Sequence, residues 1–93
     1  MQTVVWKIGT HDCTLCKKLN GVWGDIKASH PSFLYYVANP LLDDKILEEM
    51  KRHNLKKIPI IKVQQGSKTY YKEGVSNQEE FEKFLAEIGE REK

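Results

Sequence analysis

The sequence predicts an α/β fold in which a four-stranded mixed sheet has helices on both faces, with the elements in the order β-α-β-α-β-β-α. Short apolar runs of strand length alternate with stretches of helical periodicity through the first half of the chain. A Gln-Gln-Gly-Ser turn separates two further strands, and an amphipathic helix follows them. The first three elements form a βαβ unit, for which we expect parallel strands and a right-handed crossover.

The first strand is predicted at the apolar run of residues 4–8, which ends at Gly9. A helix is predicted from Thr14 to about Ser29, because apolar side chains recur there at helical spacing. Pro31 ends this helix, since the residue before a proline is pushed out of the α region. The apolar positions of the helix are Cys16, Leu19, Trp23 and Ile26.

The second strand and second helix are predicted on either side of Asn39-Pro40. Residues 33–38 are apolar enough to be covered on both faces of the sheet. Asn39 is predicted as the N-cap of the helix, with Pro40 at its first position. Asp43 and Asp44 then favour the helix macrodipole. The apolar stripe of this helix is formed by Leu42, Ile46 and Met50.

The second half of the sequence predicts a hairpin followed by a helix. Strands over 58–63 and 68–72 flank the turn, and Gly74 breaks the pattern. Ser76 and Glu79 have the spacing of a capping box, so the last helix is predicted to start there and to end at Gly89. Its apolar face contains Phe81, Phe84, Leu85 and Ile88.

Length and charge limit the function classes. A chain of 93 residues is the length of one domain, predicted to span 1–93. Fifteen Lys and Arg against thirteen Asp and Glu leave a net charge of +2, too small to indicate binding to nucleic acid or to an anionic membrane. No run reaches the roughly 18 apolar residues that span a bilayer. The N-terminus lacks a basic leader with an apolar stretch, so a cytoplasmic protein is expected.

Cys13-Thr14-Leu15-Cys16 lies where the first strand has ended and the first helix begins. The cytoplasm keeps thiols reduced, so this spacing favours redox chemistry or half of a metal site over a structural disulfide. Unsatisfied N–H groups at a helix N-terminus stabilise a thiolate, which is the reactive form. Cys13 is therefore predicted to attack, and Cys16, one turn deeper, to resolve the mixed disulfide.

A zinc site is the rival interpretation of the two cysteines, beside incidental thiols. Tetrahedral zinc needs four ligands, so the cysteines would have to recruit two of the three histidines. His30 and His53 lie near the far ends of their helices, and there is no second Cys-x-x-Cys, so no metal is predicted. The third histidine, His11, precedes the cysteines in the loop.

The strand, the Cys-x-x-Cys at a helix start, and Ile58-Pro59 before the third strand together resemble the thioredoxin and glutaredoxin proteins. The resemblance covers nearly the whole chain. It implies a cis-proline loop in which Pro59 packs beside the sulfurs and the backbone of Ile58 pairs with a bound substrate. Thr14, Leu15 and Gly74 belong to the same implied substrate-binding region. The implied activity is thiol–disulfide exchange without a cofactor, in a monomer that reduces a disulfide-containing protein.

The length is similar to that of glutaredoxins, but finer features resemble thioredoxins. Glutaredoxins usually carry Thr-Val-Pro and Gly-Gly-x-x-Asp segments that hold glutathione, and this chain has Lys57-Ile58-Pro59 and Gly74-Val75-Ser76 there. A thioredoxin-reductase-like enzyme is therefore expected as the electron source in preference to glutathione. The alternatives are a redox-inert adaptor module and a glutathione-dependent glutaredoxin, and the missing export signal disfavours disulfide formation.

Several residues depart from the thioredoxin pattern at functional positions, among them Thr14-Leu15 in place of Gly-Pro between the cysteines. Thioredoxins place a buried Asp six residues before the first cysteine, where it helps to deprotonate the resolving thiol, and Lys7 occupies that position here. We hypothesise that His11 or Asp12 takes over this acid–base role, only because both are near the cysteines in the sequence. Asp12 also stands where thioredoxins have Trp before the first cysteine.

Overall fold

The computed structural model describes residues 2–91, and the predicted order of elements is confirmed. Their bounds are β1 Thr3–Ile8, α1 Thr14–Ser29, β2 Leu34–Ala38, α2 Asp44–Arg52, β3 Ile60–Gln65, β4 Lys68–Glu73 and α3 Gln78–Arg91. The strands form one sheet in the order β2-β1-β3-β4. β1 pairs parallel with β2 and antiparallel with β3, which pairs antiparallel with β4. The mixed four-stranded sheet is therefore as predicted.

The two faces of the sheet are covered by different helices, which confirms the prediction of helices on both faces. On one face, residues of β1 and β3 pack against α1 and α3, with Leu19, Phe81 and Phe84 all at most 1% exposed. On the other face, Ile8 and Ile60 pack against α2. Each fully buried Leu, Ile or Phe side chain contributes about 1.5–3 kcal/mol relative to leaving it exposed.

β2 is not covered on both faces, contrary to the prediction. It is an edge strand, and Leu34, Tyr36 and Val37 are 47%, 46% and 67% exposed. α2 is short, and it covers little of β2. The only β2 residue buried in the cluster around α2 is Ala38, at the end of the strand. An apolar run alone does not distinguish an edge strand from a central one, which is why the sequence misled here.

α2 begins four residues later than Asn39-Pro40 predicts, so Asn39 is not its N-cap. The Asn39 side chain accepts a hydrogen bond from the Leu41 N–H at 2.9 Å and so forms a local turn. The N-cap is Asp43, whose carboxylate accepts from the Lys45 N–H at 3.0 Å. Leu42 consequently lies outside the helix and is 81% exposed, instead of belonging to its apolar stripe.

The predicted bounds of the last helix are also corrected. Asn77, rather than Ser76, precedes the helix and accepts from the Glu80 N–H at 2.8 Å. The Ser76 hydroxyl instead donates to the Glu80 carboxylate at 3.2 Å. Gly89 does not end α3, which continues to Arg91. An Asn and a Ser in succession both offer a capping oxygen, and the sequence does not decide between them.

β3 starts at Ile60, two residues later than predicted. Pro59 has no N–H to donate to the ladder, so the strand begins after it. The Ile58–Pro59 peptide bond is cis, and Pro59 is buried. None of the helices within residues 2–91 combines the length and the hydropathy that crossing a bilayer requires.

Candidate active site

The two cysteines lie at the N-terminus of α1, close to the end of β1. Cys13 is the N-cap, in extended backbone conformation, and its Sγ accepts a hydrogen bond from the Cys16 N–H at 3.2 Å. Both are free thiols. Cys13 is half-buried, whereas Cys16 is only 4% exposed. The outer sulfur therefore meets solvent and the positive end of the helix together, while the inner sulfur is enclosed.

The loop before β3 lies against the outer thiol. The Cys13 Sγ donates to the Ile58 carbonyl oxygen at 3.7 Å. Next in the chain, the Pro59 carbonyl accepts from the Gly74 N–H at 2.8 Å. Gly74 has a φ of +74°, a conformation that glycine adopts without steric cost. Two hydrogen bonds thus connect three segments that are distant in sequence, and they involve four of the predicted site residues: Cys13, Ile58, Pro59 and Gly74.

Burial dominates the acidity of the inner thiol. Burial, followed by the hydrogen bond with Cys13, raises the pKa of Cys16 to about 11. A backbone hydrogen bond from Thr10 and the positive charge of Lys7 act in the opposite direction. Cys16 is therefore a thiol at neutral pH, and it needs help from its surroundings to become a nucleophile.

Gly9 determines how closely the end of β1 approaches Cys16. A Cβ at Gly9 would lie 2.8 Å from the Cys16 Sγ, inside van der Waals contact. The backbone of Gly9 is fixed by its N–H, which donates to the Ala38 carbonyl at 3.0 Å. The sequence indicates Gly9 only as the end of a strand, because the atom that lies opposite its missing side chain is set by the tertiary structure.

A cavity of about 580 Å³ adjoins Cys16 and Pro59. The other lining residues are Trp6, Lys7, Gly9, Thr10, His11, Asn20, Val37, Ala38, Asn39, Leu42 and Asp43. The Lys7 ammonium donates to the Asn20 side-chain oxygen and lies 5.0 Å from the centre of the Trp23 ring. Burial, reinforced by the charge of Lys27, lowers the pKa of Lys7, and the Cys16 sulfur opposes that shift.

The remaining predicted site residues lie on the surface around the cysteines. Thr14 and Leu15 are exposed in the first turn of α1. His11 is exposed and lines the cavity, whereas Asp12 is exposed and does not.

Two of the three histidines considered as zinc ligands are engaged in other contacts. His30 pairs with the Glu82 carboxylate, and the His53 ring lies 4.7 Å from the ring of Tyr71. No group of three or more His, Cys, Asp and Glu within residues 2–91 is placed to hold a metal ion.

No protein-family model matches the chain, and no curated protein matches it. Several solved structures, however, match the chain. The thioredoxin of Fasciola hepatica is 10% identical with a TM-score of 0.75, and the match covers 92% of this chain and 80% of that one. Mitochondrial thioredoxin 3 of Saccharomyces cerevisiae is 14% identical with a TM-score of 0.74, covering 92% and 78%. A complex of ferredoxin:thioredoxin reductase with thioredoxin f2 matches at 17% identity and a TM-score of 0.71, covering 99% and 79%.

These likenesses establish the class of structure. The chain has the thioredoxin fold over nearly its whole length, as the resemblance predicted. Its Cys13–Cys16 pair has the Cys-x-x-Cys spacing within that fold. The fold, which is the one thiol–disulfide oxidoreductases use, and the cysteine pair together define the chemistry to be tested.

Proposed function

We propose that the protein is a disulfide reductase that passes two electrons from its Cys13–Cys16 dithiol to a disulfide in another protein. The observation that carries the proposal is the position of Cys13, which is half-exposed, caps α1 and accepts the Cys16 N–H. A sulfur that accepts this bond and faces the positive end of a helix is stabilised as the thiolate, the form that attacks disulfides.

The reaction has two exchange steps. The Cys13 thiolate attacks one sulfur of the substrate disulfide, forming a mixed disulfide and releasing the other substrate sulfur as a thiolate. Cys16 then attacks the Cys13 sulfur, so that the Cys13–Cys16 disulfide forms and the second substrate thiol leaves. The proton that Cys16 loses balances the one gained by the departing thiolate. The substrate is reduced by two electrons and the protein is oxidised by two.

The Ile58–Pro59 loop is the proposed docking edge for the substrate backbone. Its Ile58 carbonyl already lies 3.7 Å from the Cys13 Sγ, so an extended segment bound along it would bring its own sulfur to the outer thiol. Exposed Thr14 and Leu15 complete the proposed rim, and Gly74 supports the loop through its bond to Pro59. The neighbour structure of thioredoxin f2 with its reductase supports a thioredoxin-reductase-like enzyme as the electron source.

The test is a redox titration of the dithiol against glutathione and dithiothreitol buffers, together with insulin reduction driven by dithiothreitol. We expect a reversible two-electron couple near the thioredoxin value of about −270 mV. Cys16→Ser should trap a mixed disulfide with substrate, and Cys13→Ser should form none. The absence of a reversible couple would overturn the proposal and leave the adaptor function, while a much more oxidising couple would indicate disulfide formation.

A further inference from the structure

The resolving cysteine and a half-buried lysine adjoin the same cavity. Lys7 on β1 and Cys16 on α1 both line it. Asn20, which holds the Lys7 ammonium, follows Cys16 by four residues and so lies on the same side of α1, about 6 Å further along the axis. Lys7 is therefore anchored one helical turn from the thiol that must become a nucleophile.

The ammonium of Lys7 is held by neutral groups. Its hydrogen-bond partner within residues 2–91 is the amide of Asn20, and the face of the Trp23 ring attracts its charge from 5.0 Å. A half-buried cation costs free energy unless an anion compensates it. A carboxylate partner would neutralise the charge of Lys7. The amide of Asn20 and the indole of Trp23 do not, so the positive charge still acts on nearby groups.

Apart from Lys7, the ionisable groups that line the cavity within residues 2–91 supply no buried positive charge to Cys16. His11 on the loop and Asp43 before α2 line the cavity, but both are exposed and screened by solvent. Cys13, on the same helix, opposes ionisation of Cys16, and Lys27 further along α1 repels Lys7. β2 and the loop before β3 contribute the uncharged Val37, Ala38 and Pro59 to the cavity lining.

We propose that Lys7 is the charge partner of the resolving thiol: its ammonium, held by Asn20 beside the shared cavity, stabilises the Cys16 thiolate as that thiolate forms. This rests on the proposed two-step exchange and concerns its second step. Lys7 stays protonated throughout, and the proton from Cys16 ends on the departing substrate thiol. Lys7 is a positioning residue that acts through Cys16, and it does so without the carboxylate that the family resemblance implied at this position.

The test separates the two exchange steps with the aromatic disulfide dithiobis(nitrobenzoate), which releases coloured thionitrobenzoate at each. Attack by Cys13 gives the first release and resolution by Cys16 gives the second. Thiolate fraction falls tenfold when the pKa of Cys16 rises by one unit, but nucleophilicity rises with it, so Lys7→Met should slow the second phase about threefold at neutral pH. Lys7→Gln should do the same, and Lys7→Arg should retain the fast second phase.

The matched control is Lys62→Met, which removes another half-buried lysine from the sheet, on the face away from the cysteines. Both phases should be unchanged in it. A second readout needs no turnover: in a Cys13→Ser background, the ultraviolet thiolate titration of Cys16 should move up by about one pH unit with Lys7→Met.

The outcomes are distinct. An unchanged second phase and an unchanged thiolate midpoint in both Lys7→Met and Lys7→Gln would overturn the assignment of Lys7. A wild-type protein that releases only the first thionitrobenzoate would instead contradict the two-step exchange. In that case, the Cys16 titration still decides whether Lys7 stabilises the thiolate.

Discussion

Lys7 and Lys62 are two half-buried lysines on neighbouring strands, and their side chains lie on opposite faces of the sheet. Each ammonium lies near a tryptophan ring, at 5.0 Å from Trp23 for Lys7 and at 5.3 Å from Trp6 for Lys62. Lys62 also pairs with the Glu49 carboxylate at 2.6 Å, whereas Lys7 meets the neutral amide of Asn20. The charge of Lys62 is neutralised by Glu49. The charge of Lys7 has no anionic partner of this kind within residues 2–91, and it acts on Cys16.

On the face of the sheet that carries Lys62 (the Lys62 face), Lys62 and Glu49 form a stabilising ion pair. Burial alone would raise the pKa of Glu49, but hydrogen bonds from Lys62 and Tyr71 outweigh burial and hold that pKa below its usual range. The pKa of Tyr71 is raised, first by burial and then by its hydrogen bond to Glu49. A half-buried lysine can therefore serve stability or chemistry, depending on whether its partner carries a charge.

The largest expected effect comes from breaking the pair on the Lys62 face. Glu49→Leu leaves the Lys62 ammonium and the Tyr71 hydroxyl half-buried without their acceptor, which should lower the free energy of unfolding by about 3 kcal/mol. Urea denaturation measures it. Glu48→Leu, an exposed change on the same helix, is the control and should stay within about 0.5 kcal/mol. Equal losses in the two variants would contradict the pairing.

The next largest effect is expected on the opposite face, which carries Lys7, from a change in the packing around Cys16. Gly9→Ala places a methyl group 2.8 Å from the Cys16 Sγ, and overpacking of this kind should cost about 1–3 kcal/mol of unfolding free energy and slow the resolving phase. The matched control is Gly21→Ala in α1, where a Cβ meets open space and should stabilise the helix by about 0.5–1 kcal/mol. The close approach is disproved if both alanines stabilise the protein.

Low pH should weaken the interactions of Glu49 with Lys62 and Tyr71. Because the folded pKa of Glu49 lies below its ordinary value of 4.5, its interactions contribute stability above that value, and the contribution is lost as pH falls through the folded pKa. Lys62→Met removes one hydrogen bond to Glu49, so it should cost about 1 kcal/mol near neutral pH and less near pH 3. Urea curves at the two pH values measure this, and a cost independent of pH would speak against a charged pair.

The smallest expected change in stability is at Lys7. Its pKa is lowered, so at neutral pH the folded state holds an ammonium that it disfavours. Lys7→Met removes that penalty, and its melting temperature should equal or exceed that of the wild type while the resolving phase slows. A clear fall in melting temperature would mean that Lys7 is chiefly a structural residue.

Local patterns carried most of the sequence prediction. Cys13-Thr14-Leu15-Cys16 before a helix and Ile58-Pro59 before a strand are short motifs, so they were visible in the sequence, as were the element order and helices on both faces. The fold could be predicted because hydrophobic periodicity in the chain agrees with the topology of the family that it resembles.

What the sequence did not reach depends on tertiary register. Lys7 was noticed as a departure from a pattern, but its approach to Asn20 and Trp23 requires knowing which face of α1 lies on β1. The exposed edge at β2 was missed because its neighbours are set by strand order. The start of α2 was wrong because Asn39 and Asp43 compete as caps, and the turn formed by Asn39 decides between them.

The hydrogen bond from the Cys16 N–H to the Cys13 Sγ makes the reactive atom part of the secondary structure. An N-cap contributes about 0.5–2 kcal/mol to a helix, and an ionised acceptor contributes more than a neutral one. The start of α1 is therefore held most strongly while Cys13 is a thiolate. Any covalent partner on that sulfur makes it a weaker acceptor, so electron transfer and helix stability are linked in one thermodynamic cycle. Because the fold favours the thiolate in this way, it stabilises the dithiol state and raises its reduction potential.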